Sequence, residues 1–281
     1  MNMRPSRLAN YETLRRPRAL VLSSQQMGRL LGYEWNCPDS AVLVRDDLTL
    51  SHLSAAPFFY NSRTLLQTIH AAGGVKATVA GNLTRAFVAS LCELFRFPPD
   101  YLEDHRQVSK VLNEEDLYEV HVPRVVLELA GLLARRKGVF RVTRKGERLL
   151  GEEAAGRLYA ALVTAFFTKL NLGYLDRFDN DSFQWTVGFA LWLLGQIGDR
   201  WATVEALEPG LIHPLIREDL APRASWSPAH MVLECRLLEP LVGFGLLERR
   251  EIPQEEAWRH ECEYRKSPLF DRVLAFDLGP A

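Results

Sequence analysis

The chain has 281 residues, 47% hydrophobic and 25% charged, with 34 Lys and Arg against 35 Asp and Glu for a net charge of −1. That composition belongs to a folded globular protein with room for two or three cores, and it excludes a disordered or collagen-like chain. Balanced charge also excludes a protein that grips nucleic acid through overall basicity, so any such contact must come from a locally basic face.

The N-terminal stretch MNMRPSRLANYETLRRPRAL is basic but lacks the continuous apolar core of a secretory signal, and Glu12 counts against an organelle-targeting peptide. No apolar run reaches the roughly 20 residues that span a bilayer, so no membrane partner is expected. Arg4, Arg7, Arg15, Arg16 and Arg18 read as an exposed arm, suited to phosphate contact or simply solvated. Ser23 or Ser24 is expected to cap a short helix over 25–32, and Ala41–Arg45 reads as a strand. Pro57 opens a helical stretch with Asn61 or Ser62 as its cap and Leu65, Leu66 and Ile69 on one face.

Two similar phrases follow. Val75-Lys76-Ala77-Thr78-x-x-Gly81 and Phe140-Arg141-Val142-Thr143-x-x-Gly146 share an apolar, basic, small-or-apolar, threonine and glycine pattern. Each is expected to form a two-stranded wing with one packed and one wet face. Between them, Asn82 is expected to cap a helix to Phe95, and Asn113 to cap another through Glu114, Glu115 and Asp116. Val125, Val126, Leu129, Leu132 and Leu133 predict a core-spaced helix over 122–134, directly before the second phrase. Seven of the fourteen residues from Arg135 to Arg148 are Lys or Arg, and only Glu147 opposes them.

Residues 152–172 and 186–197 read as apolar helices. Tyr174, Phe178, Phe183, Trp185, Phe189 and Trp192 are expected to form the packing centre of the C-terminal half. A helix over 230–242 then leads through Gly243-Phe244-Gly245 into a third hairpin, whose loop carries Glu251, Glu255, Glu256, Glu261 and Glu263. That acidic loop makes the third hairpin unsuited to phosphates. Helix plus hairpin, three times over, is the pattern of repeated winged-helix-like units.

The chemistry-bearing residues give little else. Cys37, Cys92, Cys235 and Cys262 are scattered without a CxxC pair and read as free thiols of a reducing cytoplasm. His260 and Cys262 share a strand face with no second pair nearby, so no metal site is expected. The acidic turn at Asp176, Asp179 and Asp181 lacks the glycine and distal glutamate of a calcium loop and reads as helix-capping. No phosphate loop, nucleophile elbow or HExxH occurs, so no catalytic residue and no cofactor are expected.

The phrases AAGGVKATVAGNLTRAFV, NEEDL, LAGLLARRKGVFRVTRKGERLL, FFTKLNLGYL and PLVGFGLLE resemble a bacterial family of uncharacterised cytoplasmic proteins. Similar regions also form the C-terminal part of plasmid-borne hypothetical proteins. The resemblance covers residues 55–275, implies a helix-rich, winged-helix-like organisation, and carries no assigned catalytic residue.

The expected architecture is mainly α with small β-hairpins, in two or three tandem winged-helix-like units. Residues 1–55 are an arm and a small α/β segment, 56–150 hold paired units, and 151–281 a helical region with a C-terminal unit. The expected function is a DNA-associated or regulatory protein contacting double-stranded DNA through Arg135, Arg136, Lys137, Arg141, Arg144, Lys145 and Arg148, with Arg124 and Glu128 of the preceding helix near a groove. The alternative is an adaptor subunit of a larger bacterial assembly, such as a chromosome-organising or defence complex, or a homodimer, without direct DNA readout.

Overall fold

The computed structural model describes residues 22–222, 227–252 and 261–279. The expected arm at 1–20, His260 and the centre of the acidic loop lie outside the described residues. The chain divides into two compact units. The first takes the described residues up to Leu43, Asn171–Val242, and those from Leu246 onward; the second takes Val44–Leu170 and Gly243–Gly245. Helices dominate both, with small antiparallel sheets.

The first unit opens with α1 (Ser24–Leu30), started by a capping box in which the Ser23 hydroxyl and the Gln26 side chain each satisfy the other's backbone N–H. Strand β1 (Val42–Val44) follows.

The second unit begins its helices with α2 (Pro57–Ala71). Pro57 sits in the first turn, where its missing N–H costs nothing. Asn61 and Ser62, expected as caps, are instead buried in the helix body, because the proline starts it four residues earlier. After β2 (Val75–Lys76) come α3 (Arg85–Cys92) and α4 (Tyr101–Val108), the latter with no buried residue. Helix α3 starts from Thr84 rather than Asn82. Asn113 does cap a turn, but a 3-10 turn (Glu114–Asp116) that leads into α5 (Tyr118–Leu129).

Helix α5 stops short of the predicted Ala134. Gly131 adopts φ +72°, and the N–H groups of Gly131 and Leu132 return to the carbonyls of Glu128 and Leu127 at 2.9 Å each. This is a Schellman end, which a run of leucines cannot override once glycine takes the left-handed position. Leu132 is therefore a connector, and Leu133 begins β3 (Leu133–Arg136), which turns into β4 (Val139–Val142). Helix α6 (Ala155–Lys169) completes the unit.

The two similar phrases do not make two hairpins. Val75 pairs with Phe140 and Lys76 with Val139, so β2 is the third strand of one sheet in the order β2-β4-β3. The threonines also differ in their work. Thr143 donates to the Gly131 carbonyl at 2.8 Å and accepts from the Gly146 N–H at 3.1 Å, tying the end of α5 to the turn after the hairpin. A side chain at Gly146 would place its Cβ 2.3 Å from the Leu132 carbonyl oxygen. Thr78 instead closes a tight turn with Asn82, through bonds of 2.8 and 3.0 Å.

Phe244 belongs to the second unit despite its place late in the chain. Its ring lies 4.5 Å from Phe58, 5.4 Å from Phe166 and 5.9 Å from Tyr159, and its carbonyl accepts from the Tyr159 hydroxyl at 2.6 Å. All four rings are buried.

The rest of the first unit repeats the same succession. Helix α7 (Val187–Ile197) leads to β5 (Ala202–Thr203) and α8 (Val204–Leu211), capped by the Thr203 hydroxyl. Helix α9 (Pro228–Leu233) passes through a π-turn (Glu234–Leu238) into α10 (Glu239–Gly243). The hairpin of β6 (Leu247–Ile252) and β7 (Glu261–Lys266) follows, in the sheet order β5-β7-β6. In both sheets the strand that precedes the helices lies beside the last strand. Of the predicted aromatic centre, Phe183, Phe189 and Trp192 are buried here, whereas Tyr174 is 54% exposed.

The acidic turn holds an arginine. Asp176 takes Nε and Nη2 of Arg236 at 2.6 and 2.8 Å, and the carbonyls of Phe178 and Asn180 take two more of its N–H groups. Both charged side chains are fully buried, so the pair is the polar centre of the unit.

Candidate nucleic-acid interface

The hairpin β3–β4 turns in two residues, Lys137 and Gly138, at φ +50° and +71°. That is the geometry matching the twist of paired strands, and it projects Lys137 from the tip. Directly opposed residues share a face of a sheet. Phe140 faces the core with Leu133 and Val142, while Arg136 and Lys76, both opposed to Val139, share the outer face with Arg141. Arg144, Lys145 and Arg148 follow in the turn that Thr143 caps.

All seven of the expected contact residues, Arg135 through Arg148, are exposed. They are not equivalent. Lys145 Nζ donates to the Ala130 carbonyl at 2.9 Å, closing the C-terminus of α5, and Arg141 Nε reaches the Gly73 carbonyl at 3.4 Å. The guanidinium of Arg135 lies against Gly81. Arg136, Lys137, Arg144 and Arg148 extend without an ion pair among the described residues. The ion pairs of this unit are instead those of Glu114 with His121 and Arg124, and of Arg124 with Glu128.

Those pairs correct the expected role of Arg124 and Glu128. Arg124 Nε donates to Glu114 at 2.7 Å, its Nη1 bonds Glu128, and its guanidinium sits 5.5 Å from the Phe140 ring. The Glu114 carboxylate, fully buried, also accepts from the Leu83 N–H and from the His121 ring. Burial works against its charge, but His121, Arg124 and the Leu83 N–H outweigh that and hold its carboxyl below the ordinary range. Five residues on, Glu119 shows the opposite result: burial pushes its carboxyl up to about 7, with only the Asn61 amide acting against it.

Helix α5 is packed by both α2 and α6, and Tyr118, its first residue, is its one exposed position. Beyond Tyr118 its side chains are buried or half-buried, and its arginine is held inward. The signal was present in the sequence: Val120, Val122, Val126 and Leu127 spread apolar positions around the helix, and such a helix is buried on most sides.

The second hairpin is also rich in arginine, yet each charge is answered. Arg250 pairs with Glu263 at 2.6 Å, Arg265 with Glu248 at 2.5 Å and Arg249 with Glu239 at 3.0 Å. Lys266 meets Asp199 and Asp271 at 3.2 Å each, and the guanidinium groups of Arg250 and Arg265 lie over the Trp201 ring at 4.5 and 4.7 Å. Among the described residues no group of three or more His, Cys, Asp or Glu is arranged to hold a metal ion, and no helix is long and apolar enough to cross a membrane. All four cysteines are free.

Residues 54–156, which carry both threonine phrases and the basic hairpin, match the family model described as the Y4jL N-terminal domain. An uncharacterized protein y4jL of Sinorhizobium fredii (strain NBRC 101917 / NGR234) is 34% identical over 104 residues, 37% of this chain and 46% of that relative. The chain thus spans less than half the length of the relative it matches. These matches support kinship with an uncharacterised bacterial family, over a shorter stretch than the expected 55–275 and through a domain that is N-terminal in its family. No solved structure matches the chain.

Proposed function

We propose that each unit is a winged-helix module and that the chain binds double-stranded DNA through the Arg135–Arg148 hairpin, in a DNA-associated or regulatory role. The succession helix, strand, helices and hairpin, with the first strand beside the last, supports the module reading in both units. One observation carries the binding reading. Of two hairpins built alike, the β6–β7 hairpin has its arginines neutralised by carboxylates, while the β3–β4 hairpin keeps its charges free of ion pairs among the described residues.

Contact of this kind goes to phosphates, because the polar side chains of α5 that could read bases, His121, Arg124 and Glu128, are engaged with one another and with Glu114. Binding of a random duplex should weaken steeply with salt, with a slope of about 0.9 per phosphate contacted. Replacing Arg136, Arg144 and Arg148 by Gln should flatten that slope by about 3 and leave the thermal midpoint unchanged. Equal affinities and slopes for the variant and the wild type would overturn the proposal.

A second reading, an adaptor that binds protein, is favoured by a different observation. Leu94, Val108, Val111 and Tyr118 are exposed within 94–118, at 46, 91, 45 and 37%. Co-purification of a defined partner by a chain with no salt-sensitive DNA affinity would support this reading over the first.

A further inference from the structure

The turn after β2 presents a valine to solvent in an unusual setting. Thr78–Gly81 is a tight turn, with the Gly81 N–H on the Thr78 carbonyl at 2.9 Å, and Val79 occupies its first corner with 109% of its reference surface exposed. The turn is not loose. Thr78 and Asn82 exchange the two bonds described above, and Ala77 bridges to Leu83. Gly81 adopts φ +89° and is buried beneath the Arg135 guanidinium, so closely that a Cβ there would lie 1.7 Å from Nη1. A fixed backbone thus holds a fully wetted apolar corner beside an arginine, at the edge of the sheet that carries the other free charges.

We propose that Val79 and Arg135 form a wedge that enters the minor groove of duplex DNA, with Val79 pressing on a base step and Arg135 on the groove floor. This rests on the reading of the basic hairpin as a DNA contact. Three features support it. Helix α5 is packed by α2 and α6, whereas Val79 at the sheet edge and Arg135 are both exposed. Narrow A·T-rich minor grooves concentrate negative potential and draw arginine. Apolar side chains inserted there unstack flexible steps and bend the duplex, which gives an exposed valine a place out of water. Lys76 and Arg136, on the opposite face of the sheet from Arg135, then meet phosphates flanking the wedge.

The test uses the full chain and a 20-base-pair duplex with a central TA step in A·T surroundings, labelled at both ends for energy transfer. Wild type should raise the transfer efficiency on binding, and a minor-groove ligand should compete. Val79→Ser should lose the bend and roughly tenfold in affinity while keeping the salt slope, since no phosphate contact is removed. Arg136→Gln should do the reverse, lowering the slope by about 1 and keeping the bend. Val79 is fully exposed, so an unchanged melting curve will establish that the serine variant is folded. Salt-dependent binding with no bend, or with a bend that survives Val79→Ser, overturns the wedge and leaves the phosphate-contact reading standing. Absence of any salt-sensitive binding by the wild type overturns both.

Discussion

Single residues in this chain are fixed by close approach more than by chemistry. Gly146 lies against the Leu132 carbonyl, a backbone atom held by the Schellman end of α5 and unable to yield as a side chain would. Gly146→Ala should cost about 2–4 kcal/mol, read as a lowered denaturant midpoint with an unchanged slope. Glu114 and Glu119 sit on one short segment and respond oppositely to pH. Glu119 has a folded-state value of about 7 against an ordinary 4.5, so the folded protein holds that proton more tightly than the unfolded chain. Its contribution is full below 4.5 and is lost as pH rises through 7, on the order of 2–3 kcal/mol. Glu114 is depressed, so its contribution is present above 4.5 and fades as pH falls through its folded value. Unfolding free energy measured from pH 4.5 to 8 should fall across the lower part of that range, and Glu119→Gln should remove the fall. A Glu119→Gln profile that still falls to the same extent would sink this assignment.

Elements were legible where a local rule decides them, and illegible where a distant partner does. Ser23, Pro57 and Asn113 mark starts that the structure contains, because capping acts within three residues. Leu132 and Leu133 continue a helical period, and only the conformation of Gly131 takes them out of the helix. The pairing of Val75 with Phe140 lies further from view still, since nothing within either phrase states that one edge strand joins the other's hairpin. The same holds for the acidic turn. Its carboxylates suggested capping, but its arginine partner lies 60 residues away along the chain. Arg236→Met should cost about 3–5 kcal/mol by stranding Asp176 in a buried site. Adding Asp176→Leu should restore much of that loss in thermal or urea unfolding, because both members of the pair are then gone.

At the scale of the whole molecule, shape repeats and charge does not. Both units follow one order of strands, yet the hairpin of the second bears unanswered arginines and that of the first is cross-linked by Arg–Glu pairs. The basic run was readable because seven cations in fourteen residues leave no buried arrangement open to them. What stayed hidden was the companion surface. Arg124 and Glu128 looked available on a helix drawn alone, and it takes Glu114, from a different element, to draw them inward. Val79 was equally inconspicuous, since a valine in an alternating phrase reads as packed until the turn around it is known.

Phe244 lies outside the stretch that resembles known proteins, yet it packs against that stretch. The stretch that matches the Y4jL N-terminal domain model ends at 156, whereas the aromatic interior beneath it is finished by Tyr159, Phe166 and Phe244. Residues 54–156 transplanted into another chain would carry the basic hairpin away from the rings that close its foundation, leaving Phe58 without its two ring partners, Phe166 and Phe244. A portable version of the matched stretch must therefore reach forward to bring Phe166 and Phe244 along.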